Sequence, residues 1–146
     1  MGIKESAKEY HNLGLSLVAM ESGSKAPKSR NWQDKGVDVE KLTDSQNIGV
    51  IHNLSSTCSL DIDDREVFQE YLGIDAVEMK NNYPCWRGKR EGIKFLFRMP
   101  DINNIGIKKL TYKKGTEVVT VFELRGSTTG TGVQDLMPPS LHPSGI

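Results

Sequence analysis

The sequence predicts an α/β (α+β) fold, a small mixed or antiparallel sheet with flanking helices, and three observations carry that expectation. Helical periods alternate with strand-like runs along the chain. The runs IKFLFRM and EVVTVFELRG are rich in branched and aromatic residues, as half-buried strands are. No internal repeat or linker divides the 146 residues, a length that suits a single domain, 1–146, with a core of its own.

Taken in order, residues 4–13 form a short helix and LSLVAM a strand. The stretch ESGSKAPKSRNWQDKG that follows is broken by Gly, Ser and Pro and reads as a basic loop carrying Lys25, Lys28 and Arg30. NIGVIH and CSLDI are the next two strands, and the polar NLSS between them reads as the turn of a hairpin. DREVFQEYLG places Val67, Phe68, Tyr71 and Leu72 at helical spacing, with an Asp at its start and Gly73 as its stop. IKFLFRM and EVVTVFELRG are flanked by RGKREG and GSTTGTG, and VQDLMPPS is the last element.

Composition excludes several classes. With 36% hydrophobic and 26% charged residues, the chain is globular rather than disordered. Its 19 basic and 19 acidic residues balance, so no global field steers it onto nucleic acid. No 18-residue apolar stretch or hydrophobic signal core is present, which indicates no membrane association and a cytoplasmic location. Cys58 and Cys85 give neither a zinc spacing nor a disulfide framework, and both are expected reduced and packed.

The chemistry starts at TCSLDIDDRE, residues 57–66. If Leu60 to Asp63 is extended, Leu60 and Ile62 face the core and Asp61 and Asp63 share the other face, roughly 7 Å apart. Buried carboxylates require a cationic partner. Magnesium or manganese, which takes oxygen ligands and keeps several waters, suits two such carboxylates plus a third from a neighbouring strand. Glu123 is that third candidate, because it stands inside the apolar run VVTVFELRG. Alternation places Arg125 on the same face, where a guanidinium can grip phosphate oxygens bidentately. An Asp-x-Asp string alone is more often a cap or a solvated turn, but here Asp64 is the natural cap. Taken alone, Glu123 is more simply a salt-bridge partner of Arg125 or a nearby lysine. An EF-hand fails because Arg65 and Glu66 stand where ligand and glycine are needed, and GSKAPKS and GSTTGTG lack the ending of a phosphate-binding loop.

The ordered segments GSKAPKSRNWQ, NIGVI, SLDIDD, GIKFLFRMP, FELRG and VQDLMPPSLHPSG resemble the bifunctional primase-polymerase domain of the archaeo-eukaryotic primase superfamily. The resemblance runs from about residue 14 to the end, and the string Pro-Pro-Ser-x-His-Pro-Ser-Gly is its most specific part. It implies a sheet similar to an RNA-recognition module and metal-dependent nucleotidyl transfer, as in replication proteins of phages, plasmids and mobile elements. On it, Asp61, Asp63 and Glu123 are the catalytic, metal-holding acids. Lys94, Arg125, Ser140, His142 and Lys25 are nucleotide-binding. Magnesium or manganese is the implied cofactor. Nucleoside triphosphates, a single-stranded or primed DNA template, and a downstream helicase are the implied partners. Template phosphates would meet basic loops at Arg87, Lys89 and Arg90, or at Lys108, Lys109, Lys113 and Lys114.

Two departures qualify this. Where the family has Gly-x-His before an aromatic strand, the chain reads Gly92, Ile93, Lys94 and Phe95, and lysine is a flexible point charge without an imidazole's fixed geometry. The chain also stops at PPSLHPSGI, where the family continues, so a domain shortened at its C-terminal end is expected. The alternative is an inactive nucleotide- or nucleic-acid-binding module of the same fold. A metal-dependent glycosyltransferase shares the need for Asp-x-Asp but does not account for PPSLHPSG.

Overall fold

Strand alternation in this chain builds two antiparallel sheets. A computed structural model describes residues 1–87, 92–99, 105–128 and 131–143. Helix α1 (Ile3–Asn12) precedes strand β1 (Leu17–Glu21), and a short 3-10 turn at Val39–Lys41 leads to β2 (Gln46–Ile51). One helical turn, α2 (His52–Ser55), leads into β3 (Thr57–Ile62), α3 (Arg65–Leu72) and α4 (Ala76–Met79). Strands β4 (Cys85–Arg87), β5 (Ile93–Arg98), β6 (Ile107–Lys114), β7 (Glu117–Arg125) and β8 (Gln134–Leu136) complete the order. The sheets run β1-β2-β8 and β4-β5-β3-β7-β6. This is the expected α/β (α+β) class, antiparallel with flanking helices, in keeping with an RNA-recognition-module-like core.

The expected hairpin between β2 and β3 does not form. β2 pairs with β1 and β8, whereas β3 pairs with β5 and β7. The polar NLSS segment coils into α2, and Ser56 takes the left-handed conformation (φ 53°) that turns the chain into the other sheet. Lys108, Lys109, Lys113 and Lys114, expected on a loop, lie on the edge strand β6. Lys89 and Arg90 fall outside the described residues.

Each sheet has its own core. Ile3 and Ala7 of α1 pack on Leu17, Ile48 and Val50. Phe68 of α3 and Ala76 of α4 cover Ile62, Ile93 and Phe95 on one face of the larger sheet. Each fully buried large side chain there contributes about 1.5–3 kcal/mol. Asp64 caps α3 by accepting from the Val67 N–H (3.1 Å), worth about 1 kcal/mol. The helix stops at Gly73 (φ 67°), whose lack of a Cβ admits the left-handed turn. Cys58 and Cys85 are free thiols. Among the described residues no helix is long and apolar enough to cross a membrane.

Two local features aim the other face of the larger sheet. Between β6 and β7 the register shifts: Leu110 pairs with Phe122 and Thr111 with Thr120. Val121 is thus the extra residue of a bulge. Its side chain enters the core and its carbonyl accepts the N–H groups of Asp63 (2.9 Å) and Asp64 (3.1 Å), which ends β3 at Ile62. Gly49 in β2 lets β8 approach closely. A Cβ there would stand 2.2 Å from Gln134 Oε1 and 3.0 Å from the Asp135 carbonyl.

Candidate functional site

Register across the larger sheet writes one row of side chains. Trp86 pairs with Lys94, Lys94 with Asp61, Asp61 with Glu123, and Glu123 with Lys109. Side chains one residue along a strand point to the opposite face, so this row lies away from α3 and its apolar neighbours lie toward it. The next row on the same face holds Leu96, Ser59 and Arg125. The charged face forms one wall of a cleft of about 950 Å³. Lys25, Asp135, Ser140 and His142 also line it, from the loop after β1 and from β8 and its continuation.

Asp135 joins the two sheets. It is 3% exposed and sits on β8, and each of its oxygens meets two partners. Oδ1 accepts from Lys94 Nζ at 2.8 Å and lies 2.9 Å from Arg125 Nε, whose N–H is off the line of a good hydrogen bond. Oδ2 accepts from Ser59 Oγ (2.5 Å) and from the ring of His52 (2.7 Å), which is fully buried and also bonded to Thr57 Oγ1 at 2.9 Å. Burial alone would raise the Asp135 carboxyl, but the His52 hydrogen bond and the charges of Lys94 and Arg125 prevail and hold it well below the usual carboxylate range.

The neighbouring acids are placed differently. Burial pushes the Asp61 carboxyl up; Lys94, 3.7 Å away, opposes this, while Asp135 and Glu123 add to it. Asp61 Oδ1 is buried and has no hydrogen-bond partner among the described residues. Glu123 Oε1 accepts from Arg125 NH1 at 2.6 Å, and Oε2 lies 3.6 Å from Lys109 Nζ. Burial works against the Arg125 charge, but Asp135 and Glu123 outweigh it and raise its pKa further.

A sequence description of the family "Bifunctional DNA primase/polymerase, N-terminal" matches residues 7–146. The chain belongs to that family. No curated protein matches it. Primase, polymerase, nucleotidyl transfer and DNA replication are the family's terms, and they direct attention to the cleft on the charged face of β3, β5 and β7.

All eight residues singled out in this primase-polymerase chain line the cleft: Asp61, Asp63, Glu123, Lys94, Arg125, Ser140, His142 and Lys25. They are not equivalent. Asp63 lies beyond the end of β3 and is exposed, so it does not share Asp61's strand geometry. The Ser140 hydroxyl accepts from the Ile48 N–H (2.8 Å) and donates to its carbonyl (3.1 Å), which pins the segment after the cis Pro138–Pro139 bond onto β2. Lys25 is exposed, and its carbonyl accepts from Gln134 Nε2 at 2.8 Å. Arg87 is exposed on β4 at the cleft margin. Sequence reasoning missed Asp135, His52 and Ser59, although an acid inside the apolar VQDLM carries the same signal that marked Glu123.

Among the described residues no group of three or more His, Cys, Asp or Glu side chains is gathered to hold a metal ion. The donor chemistry nonetheless fits a hard divalent cation. Asp61 offers a buried, unpartnered oxygen, and three carboxylates (Asp61, Glu123, Asp135) face two cations, Lys94 and Arg125. A hollow of about 1110 Å³ beside α3 suits a polyanion less well. Asp63, Asp64, Glu66, Asp75 and Glu117 line it, with Arg65 as the single cation among the described lining residues.

Proposed function

We propose that the cleft is a nucleotidyl-transfer site of a DNA primase-polymerase acting in phage, plasmid or mobile-element replication. The observation that carries this is Asp61, registered between Lys94 and Glu123, with one buried oxygen that lacks a hydrogen-bond partner among the described residues. Asp61, Asp63 and Glu123 would hold magnesium or manganese, with Asp63 and Glu123 turning toward Asp61. A bound divalent ion supplies charge stabilisation at the attacking and leaving oxygens of an in-line displacement. Lys94 and Arg125 bind the triphosphate of the incoming nucleotide, and Lys25 and His142 border it. Ser140 acts through the backbone it anchors. The 3′-hydroxyl of a primer attacks the α-phosphate, and pyrophosphate leaves. Template and a helicase are the partners this activity calls for.

A second proposal has its own observation. Glu123 is already bonded to Arg125 at 2.6 Å, and the described acids do not converge, which favours a binding module that retains nucleotide or nucleic acid without turnover.

Extension of a primed DNA template with manganese separates the two. Incorporation by the protein carrying this domain, lost in Asp61→Ala and in Glu123→Ala, supports the enzyme. Retained binding of triphosphate and template with no incorporation supports the module.

A further inference from the structure

The cleft's two inner cations share one anchor. Lys94 comes from β5 and Arg125 from β7, strands that flank β3 in the larger sheet, and Asp135 reaches them from β8 of the smaller sheet. Two flexible cationic side chains on an open sheet face would ordinarily sample many rotamers. Here both converge on the same oxygen, Asp135 Oδ1. The other oxygen is fixed from behind by Ser59 and His52, both fully buried, and His52 is itself steadied by Thr57. The carboxylate therefore has little freedom to turn, and the cations it holds have little freedom to leave.

We propose that Asp135 is a positioning residue that presets Lys94 and Arg125 for the triphosphate and draws the Lys94 ammonium away from Asp61. The distances show the competition: Lys94 Nζ is 2.8 Å from Asp135 and 3.7 Å from Asp61. With Lys94 held by Asp135, Asp61 keeps an oxygen for a metal ion. The role in turnover rests on the nucleotidyl-transfer proposal, but the holding of the two cations does not.

The asparagine variant Asp135→Asn keeps the shape and removes the charge. Nitrogen-15 NMR of the isotope-labelled protein reads the Lys94 ammonium and Arg125 Nε–H protons directly. In the wild type both are expected in slow exchange with water. In Asp135→Asn the Lys94 ammonium exchanges about tenfold faster or more, the loss expected for a charge-assisted bond, and Arg125 Nε–H, held by the ion pair without a well-aligned hydrogen bond, speeds up less, while the amide spectrum stays folded. In primer extension the same variant lowers kcat by about tenfold or more and changes the KM for nucleotide less, since the cations remain but are misplaced. Ser59→Ala, which removes one donor behind the carboxylate and no charge, gives a smaller change of the same sign and serves if Asp135→Asn does not fold. Unchanged exchange of both cations in whichever variant folds overturns the proposal. Faster exchange in a protein whose wild type incorporates nothing upholds the holding role and rejects the enzyme.

Discussion

Lys94 stands directly opposite Asp61 in the β3–β5 register, yet its ammonium bonds to Asp135 on the other sheet. A sheet register alone would pair Lys94 with Asp61 as a cross-strand salt bridge. The third element stretches that pairing to 3.7 Å and leaves Asp61 as a half-buried acid whose buried Oδ1 lacks a hydrogen-bond partner among the described residues, a local arrangement that opposes stability and suits ligand binding.

Asp61→Asn is therefore expected to stabilise the domain at neutral pH. The folded-state pKa of Asp61 is raised above its ordinary 3.8, so the folded form prefers the protonated carboxyl. That preference favours folding fully below the ordinary value and is lost as pH rises through the folded pKa. A neutral amide mimics the favoured form, with a gain of about 1 kcal/mol, or about 3 °C in Tm. Thermal unfolding with and without manganese checks both halves of the idea. The wild type should gain stability from the ion and Asp61→Asn should not.

Asp135 has the opposite sign. Its folded-state pKa is depressed, so its stabilising contribution is complete above the ordinary 3.8 and is lost as pH falls toward the folded value. Asp135→Asn should cost about 3 kcal/mol at pH 7, because two half-buried cations lose their shared, buried partner. Urea unfolding of the two proteins should converge as pH falls below that ordinary value, and a constant gap down to the acid limit would contradict the charge argument.

For Glu123, the bond to Arg125 means that substitution disturbs an acid and a cation together. Glu123→Gln keeps a hydrogen-bond acceptor for the guanidinium while removing the charge a metal ion needs. Incorporation should fall by two orders of magnitude or more, roughly 3 kcal/mol in the barrier, with the fold retained. Loss of the fold with loss of activity would instead make Glu123 a structural salt-bridge residue.

Much of the fold is legible in the sequence where one local rule decides the outcome. Asp64 and Gly73 bound α3 as cap and stop chemistry dictate, and alternation correctly puts Glu123 with Arg125 and Lys94 away from Phe95. The β2–β3 connection is not legible, because NLSS is equally polar as a turn or as a helical turn, and sheet membership is settled by tertiary pairing. Strand β6 is hidden because IKKLTYKK lies at a sheet edge with most side chains in solvent, which erases the period-two signal. Asp63 reads as a strand partner of Asp61 because nothing in its own segment stops the strand; the bulge at Val121 that ends it belongs to another strand. The acid inside VQDLM marks Asp135 as a candidate, but its role escapes a sequence reading because its partners, His52, Ser59, Lys94 and Arg125, are scattered along the chain and meet only through the packing of the two sheets.

Strand β6 makes the template expectation specific. Alternation along it puts Lys109 and Lys113 on the cleft face, where Lys109 neighbours Glu123, and Lys108 and Lys114 on the opposite face with Tyr112, whose hydroxyl donates to Asp64. A strand that carried template phosphates to the cleft would use the first pair. Lys109→Gln with Lys113→Gln should weaken single-stranded DNA binding and reduce the slope of log affinity against log salt by about 1.4, at about 0.7 for each phosphate that is no longer neutralised. Lys108→Gln with Lys114→Gln should leave the slope nearly unchanged. Binding titrations at several salt concentrations read both slopes. Equal effects from the two pairs would mean that β6 is a solvated, charged edge protecting the sheet from aggregation and that the template enters along another side of the cleft.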